Sequence, residues 1–475
     1  MKRNIRYILA TLLVVHFTSC ESFLDVNTDK VNPAHAPYDI VFAPAVASSA
    51  TVIGGQFAIL GSLWAQQFTQ SNTANQYKTI DGYRLTSSDF NGSFNELYSG
   101  ALNDYATVIE ETEVIQDWNT YLMAVTMQSY TFQVLVDLYD QIPFTEALKG
   151  KSGNISPKYD ESSVVYDGLI ARLDNAMSKD FSASTNKNIG AKDLIFNGDM
   201  AKWKQFVNTL KLKIYLRQIN VRPAVAQAGI TKLYADGADF LADNALFNPF
   251  KAEVKKQNPL YGSEVEYLGN SNLRASSTLF NYLSANSDTR LDKIYAPGTG
   301  GQKALAQGNY LALSTAFPNG ILSSGKFTAT DPVYFITIAE SNFLQAEALV
   351  RYPDLVGNAK LKYDAGVQAA FTRVGLNGST FVAATGAYNF DNAVTTENKI
   401  ETIITQKWIA STIAQPIEGF FDFNRTGYPS FFTVSVNSAI GAKFPQRLLF
   451  AADERSRNPN TPKQVSIDVK VWWAK

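Results

Sequence analysis

The stretch AEALVRYPDLVGNAKLKYDAGVQAA, residues 346–370, joins two amphipathic segments through a turn that contains Pro353 and Gly357. Asp331-Pro332 upstream offers a capping residue and a first-turn proline, so we expect the first helix to begin there. Its apolar face comprises Phe335, Ala339, Phe343, Ala346 and Val350. The second helix presents Ala359, Tyr363, Val367, Ala370 and Val374 on one face. The pattern predicts a helical hairpin.

The hairpin has roughly the 34-residue period of tetratricopeptide repeats, with small and aromatic residues in a similar order. Further helical stripes occur upstream, within residues 122–140 and at two other places. They comprise Val165, Leu169, Leu173 and Ala176, and then Trp203, Val207, Leu210 and Ile214, which Arg217 would complete. We therefore expect a mainly α fold, in which about four hairpins stack as a scaffold with long irregular loops.

The N-terminus resembles a secretory leader. Lys2, Arg3 and Arg6 precede the apolar run 8–17, which is too short to cross a bilayer. The run ends in Phe-Thr-Ser-Cys, the pattern of a lipoprotein cleavage site, although Phe17 stands where Leu is commoner. We predict a signal peptide over 1–19, acylation of Cys20 as a lipid anchor, and a single domain over 20–475. A transmembrane anchor beside an idle thiol is the alternative.

The composition limits the partners. The chain has 42 Lys and Arg against 43 Asp and Glu, and loss of the leader would leave it mildly acidic. It lacks the basic footprint of a nucleic-acid-binding protein, so no nucleic-acid partner is expected. No later apolar run is expected to reach membrane-spanning length.

The small number of histidine and cysteine residues limits the catalytic activities that are possible. Histidine occurs twice, and His16 would leave with the leader, so His35 is the one imidazole expected in the mature chain. Catalytic triads that do not use His35, and zinc sites of His and Cys, are therefore excluded. We find no calcium-loop spacing, and we expect neither metal nor cofactor. A pair of carboxylates could still catalyse hydrolysis.

Ordered motifs run along almost the whole chain. They are Phe23 to Asp29 after the lipoprotein site, VDLYDQIPFTEAL (136–148), PKYD (157–160), DLIFNGDMAKWKQFVNTLKLKIYLR (193–217), DTRLDKIY (288–295), AESNFLQAEAL (339–349), ITQKWIA (404–410), NRTGYP (424–429) and FPQRLLF (444–450). Together they resemble the SusD/RagB family of nutrient-binding outer-membrane lipoproteins, in its SusD-like branch. The resemblance implies a surface-exposed, non-catalytic lipoprotein that delivers oligosaccharides, or in some cases peptides, to a SusC-like TonB-dependent transporter.

Two segments combine aromatic side chains with amides and arginine, as sugar binding requires. The first, residues 63–92, follows a predicted helix, as does part of the site in the family's starch-binding prototype. Its candidates are Trp64, Gln67, Gln70, Asn72, Tyr77, Tyr83 and Arg84. The second, residues 258–274, offers Tyr261, Tyr267, Asn270 and Arg274. Trp64 could equally belong to the core.

Two other functions stay open, a surface hydrolase that uses two carboxylates and a structural scaffold that binds protein. Glu340 and Glu347, seven residues apart on the hairpin helix, are as compatible with a scaffold as with an acid and base. We expect Arg425 to stabilise the C-terminal fold, and Trp472-Trp473 to pack a tail onto the body or to face the transporter.

Overall fold

The computed structural model describes residues 36–475. Cys20, His35 and the Phe23 to Asp29 motif lie outside the described residues. The α-helices are α1 Tyr38–Ile53, α2 Gln56–Trp64, α3 Lys78–Asp81, α4 Asn91–Glu96, α5 Asn103–Ile115, α6 Trp118–Tyr139, α7 Ser162–Met177, α8 Met200–Arg217, α9 Pro223–Ala235, α10 Pro259–Tyr261, α11 Ser277–Ala285, α12 Leu291–Ile294, α13 Ile338–Arg351, α14 Ala359–Arg373, α15 Ser379–Val382, α16 Thr396–Ser411, α17 Pro416–Thr426 and α18 Ala452–Arg457. Two π-helical turns cover Leu97–Leu102 and Gly262–Tyr267.

The strands are short. They are β1 Phe68–Gln70, β2 Ile142–Pro143, β3 Tyr159–Asp160, β4 Ala245–Phe247, β5 Leu273–Ala275, β6 Tyr295–Ala296, β7 Ser324–Gly325 and β8 Val333–Ile336. They form one four-stranded sheet in the order β1-β5-β7-β6 and two antiparallel pairs, β2-β3 and β4-β8. The fold is therefore mainly α, as the sequence predicts.

Four helical hairpins form the scaffold in the described part of the chain: α5-α6, α8-α9, α13-α14 and α16-α17. One helix of each hairpin packs on the next, since α6 contacts α8, α8 contacts α13 and α13 contacts α16. The predicted helical stripes are buried, on α8 through Trp203, Val207, Leu210 and Ile214, and on the neighbouring helix α7 through Val165, Leu169, Leu173 and Ala176. The tetratricopeptide-like scaffold is confirmed.

The start of the α13 hairpin differs from the prediction. Phe335 lies on β8, which pairs with β4, and α13 begins only at Ile338, where the Thr337 side chain caps the Glu340 N–H at 3.0 Å. Asp331 instead accepts hydrogen bonds from Thr328 in a turn. The run Val-Tyr-Phe-Ile is aromatic and β-branched, and its side chains suit a paired strand better than a helix.

The expectation about later apolar runs is also wrong. Tyr38–Trp64 has the length and hydropathy of a membrane span. In the fold it is two helices, α1 and α2, which meet at Gly54-Gly55 and contribute Phe42, Phe57 and many other side chains to the core. Core helices of folded proteins pass the same compositional test, so this stretch is explained by the hydrophobic core.

A buried ion-pair network connects α6 to the hairpins α8-α9, α13-α14 and α16-α17. Its acidic members are Asp137, Glu340, Glu347, Glu418 and Asp422, and its basic members are Lys213, Arg217, Lys407 and Arg425. Each of these side chains is at most 4% exposed. Arg425 bonds to Glu347 through Nη1 at 2.6 Å and Nη2 at 2.8 Å, so it fixes α17 against α13.

The C-terminal tail packs onto the body. Trp473 is fully buried beside Phe421 and Arg217, while Trp472 lies against Tyr166 and Arg222. The expectation that these tryptophans attach the tail to the body is confirmed.

Candidate functional site

The two candidate segments meet in the small sheet. β1 pairs antiparallel with β5, so that Thr69 faces Arg274 and Gln70 faces Leu273 across some 200 positions of sequence. The contact continues beyond the strands, because Ser71 N–H bonds to the Asn272 carbonyl at 2.7 Å and Gln76 N–H to the Asn272 side chain at 3.0 Å. The structure thus brings residues 63–92 and 258–274 into one region.

A third segment, the 306–320 loop, was missed by sequence reasoning. Asn72 holds it through its amide nitrogen, which donates to the Ala312 carbonyl at 3.2 Å and the Phe317 carbonyl at 2.9 Å. The loop exposes Leu311 and Leu313. It has no distinctive composition, and its relation to Asn72 appears only when the chain folds.

Asp81 is the polar centre beneath these loops. Its carboxylate accepts hydrogen bonds from Thr69 Oγ1 and Gln70 N–H, both at 2.8 Å, and from the Gln307 amide. Burial raises the pKa of Asp81 to about 6, even though these donors oppose the shift. Asp81 therefore ties β1 to the start of the 306–320 loop.

Most candidates of the first segment are buried. Trp64 donates to the Ile80 carbonyl at 3.1 Å, and Gln67 donates to the Trp408 carbonyl at 3.1 Å. Gln70 accepts the Tyr77 N–H at 2.7 Å. The side chains of this set with almost no accessible surface are Trp64, Gln67, Gln70, Tyr77 and Tyr83. In this conformation they support the loops and present no face to a ligand.

In the second segment, Glu264 organises the backbone. It is buried and accepts the N–H groups of Asn272 at 2.8 Å and Leu273 at 2.9 Å. Burial raises the pKa of Tyr77, and the neighbouring Glu264 carboxylate raises it further. Arg274 is nearly buried and donates to the Asn270 carbonyl at 2.9 Å. These contacts shape the loop that carries Tyr267.

The accessible candidates fall into two places. Arg84 is exposed and lies near Tyr310, on the side of the 306–320 loop, where Asn72 is half-buried. Tyr267 is 71% exposed and borders a cleft of about 510 Å³ beside Phe250 and Lys255. Tyr261 and Asn270 are half-buried on the Tyr267 side. We call the five residues Asn72, Arg84, Tyr261, Tyr267 and Asn270 the loop surface.

The region holds donors, acceptors and one exposed ring. Within residues 36–475, no three His, Cys, Asp or Glu side chains lie together in an arrangement that could hold a metal ion. The carboxylates named above, Asp81 and Glu264, are both buried and both engaged by protein donors. The geometry suits non-covalent recognition of a polar ligand.

Solved structures share this fold over nearly the whole chain. A SusD homolog from Bacteroides uniformis superposes with a TM-score of 0.80 at 23% identity, over 93% of this chain and 100% of its own. A chitin-binding SusD homolog from Flavobacterium johnsoniae gives 0.78 at 21% identity, over 92% and 98%. A SusD-like protein from Bacteroides thetaiotaomicron gives 0.74 at 24% identity, over 92% and 99%.

The sequence itself agrees with the fold. The profile of a SusD-like family, described as "Starch-binding associating with outer membrane", matches residues 41–451. The chain belongs to this SusD-like family, whose members associate with the outer membrane. No curated protein matches the chain in sequence.

Proposed function

We propose that this protein captures oligosaccharides at the cell surface and passes them, chemically unchanged, to a SusC-like TonB-dependent transporter. The observation that carries the proposal is the match to a starch-binding, outer-membrane family over residues 41–451. The chitin-binding homolog of the same fold supports a glycan ligand. Cys20 would carry the lipid anchor, and a tether near the transporter raises the effective concentration of the bound nutrient.

The two accessible places of the loop surface are the proposed places of capture. Tyr267 offers an exposed ring for the apolar face of a sugar, and Arg84 offers guanidinium donors to hydroxyl groups. Arg274 and the buried candidates of residues 64–83 hold the loops in position. This division assigns contact to the accessible residues and support to the buried ones.

The proposed function is binding without catalysis. Glu340 and Glu347, which sequence spacing offered as an acid and base, both lie in the buried ion-pair network. A hydrolase would need an accessible carboxylate pair on either side of a bound sugar. The buried position of these two residues favours the scaffold role.

The test is calorimetric titration of the detergent-solubilised full chain with starch- and chitin-derived oligosaccharides and with short peptides. We expect a glycan to bind, and Tyr267→Ala to weaken it by about 0.5 to 1.5 kcal/mol. Tyr267→Phe, the matched control, keeps the ring and should retain the affinity. Release of shorter products would identify a hydrolase, whereas binding of peptides alone would identify a peptide carrier. Transporter binding without any soluble ligand would favour the scaffold.

A further inference from the structure

We infer that the protein has a second carbohydrate-binding site, distant in sequence from the loop surface and built on the α16-α17 hairpin. It is a cleft of about 510 Å³ between α11, the 387–393 segment and the first turns of α16. We call it the aromatic-amide cleft, after Tyr282, Tyr388, Asn392, Asn398, Glu401 and Phe431, which line it. Its ligand class is a neutral oligosaccharide. The inference rests on the proposed function for the glycan ligand and adds a separate place of binding.

A row of parallel rings forms one wall. Tyr282 lies against Phe431 with centroids 5.1 Å apart and planes at 15°, and against Tyr388 at 6.4 Å and 5°. Phe431 is the exposed member of the row, with 38% of its surface accessible. Its position is held from the side by Trp408, whose ring meets it edge-on at 5.7 Å. Phe431 is therefore the ring of this wall on which a sugar would stack.

Amides and one carboxylate form the other side. Asn392 and Asn398 are exposed at the rim, and Glu401 is half-buried below them on the same helix as Asn398. The Thr395 hydroxyl donates a hydrogen bond to Asn398 Oδ1 at 2.8 Å and so orients this side chain. The Ser430 hydroxyl donates to Glu401 Oε1 at 2.6 Å and orients the carboxylate. Planar amides and a carboxylate at fixed angles match the paired hydroxyls of a sugar.

The floor holds a polar group that lacks a partner. The Tyr363 hydroxyl, which borders the cleft, has no hydrogen-bond partner within the described residues. A buried polar group without a partner is costly, and such groups in folded proteins call for an explanation. A hydroxyl group of the ligand, or a water molecule bound to the ligand, would give the Tyr363 hydroxyl a hydrogen-bond partner.

The charge of the lining decides the class of sugar. No Lys or Arg side chain of the described residues lines the cleft, while Glu401 places a carboxylate in it. A uronate or sulfated chain would meet a like charge there, and Arg290, which donates to Gln406 behind the lining, is already paired with Asp288. The volume lies within the range of small-ligand pockets, which suits a short segment of a neutral chain.

The test uses the detergent-solubilised full chain, titrated calorimetrically with maltohexaose, chitohexaose, an oligogalacturonate and a neutral hexapeptide. Two variants address the cleft: Phe431→Ala removes the platform, and Asn392→Ala with Asn398→Ala removes the rim amides while leaving the core untouched. Val394→Ala is the matched control, because Val394 is 82% exposed beside the cleft without lining it. Tyr267→Ala reports on the loop surface, and melting temperatures report on folding.

We expect one neutral oligosaccharide to bind at two sites. Phe431→Ala should weaken one site roughly threefold to tenfold and leave the other unchanged, since one aromatic contact is removed. The double amide variant should weaken the same site by a similar factor, since it removes hydrogen bonds to the sugar. Val394→Ala should have no effect. Glycan binding that responds to Tyr267→Ala but to neither cleft variant would overturn this inference and leave the proposed function standing. Absence of all glycan binding would overturn both, and cleft-dependent binding of the oligogalacturonate or the peptide would overturn the ligand class.

Discussion

Arg217 offers the sharpest test of how the hairpins are held together. Its guanidinium joins α8 to two other helices, through Nε to Asp137 Oδ2 at 2.9 Å and through Nη2 to Glu418 Oε2 at 3.0 Å. The Nη2 hydrogen bond to the Glu418 carboxylate contributes about 1.5 to 3 kcal/mol, and the Nε–Asp137 contact adds an ion pair. Both carboxylates are buried, so loss of Arg217 leaves one or both of them poorly compensated. We therefore expect Arg217→Met to lower the free energy of unfolding by about 3 to 5 kcal/mol at pH 7.

The pH dependence of this loss follows from the two carboxylates. Burial raises the pKa of Asp137 to about 6 although Arg217 opposes it, and without Arg217 this pKa rises further. Burial would also raise the pKa of Glu418, but Lys213 and Arg217 lower it to about 2. Protonation removes the unpaired charge, so the variant is penalised most when both groups are ionised. The destabilisation should grow from pH 5 to pH 8.

The measurement is urea unfolding of the wild type and the variants, followed by circular dichroism at several pH values. The control is Lys256→Met, which breaks the exposed pair with Glu253 and should change stability by less than about 0.5 kcal/mol. Asp137→Asn added to Arg217→Met should recover part of the loss, because it removes one unpaired charge. A loss below about 1 kcal/mol, or one that is independent of pH, would refute the reasoning.

Three further outcomes are expected. Gly61→Ala should destabilise by about 1 to 3 kcal/mol in thermal unfolding, because the added Cβ would lie 2.2 Å from the Ile417 backbone nitrogen, whereas Gly92→Ala meets no atom within 4 Å and should be tolerated. In the wild type, the buried Asp81 carboxyl has a pKa of about 6, so the protein loses stability as the pH rises from 4 to 7 and this group ionises. Asp81→Asn cannot ionise, so its free energy of unfolding should rise by about 2 to 3 kcal/mol relative to the wild type over the same range. Parallel curves of stability against pH would contradict this. Cys20→Ala should move the protein from the membrane to the soluble fraction after cell fractionation, and membrane retention would contradict the proposed anchor.

The helical scaffold could be predicted because its signal is local. Apolar residues at helical spacing on α8 and α13 mark a buried face whatever the rest of the chain does. The strands could not be found in this way, since β1 has three residues and its partner β5 lies 200 positions away. Even at Phe335, where the residue types favour a strand, a helical spacing with later residues concealed it.

The candidate site was predicted by composition, and composition does not report burial. Gln70 and Tyr77 have the residue types of a sugar site, yet each is engaged within the fold, Gln70 with Asn272 and Tyr77 beside Glu264. Both contacts are made with a segment about 200 positions further along the chain. No local sequence pattern could therefore distinguish residues that support the loops from residues that would contact a ligand. Tyr267, by contrast, is the last residue of its π-helical turn and is 71% exposed.

Helix α16 shows why recognition residues stay hidden in the sequence. Asn398, Glu401 and Thr405 follow one another at helical spacing and border the aromatic-amide cleft. Lys407 on another side of the same helix enters the buried network at 2.9 Å from Asp422. Because the network fixes the rotation of α16, it also fixes which residues face the cleft. The apolar pattern announces the helix, but the direction of its polar face is decided by ion pairs with α17 and α13.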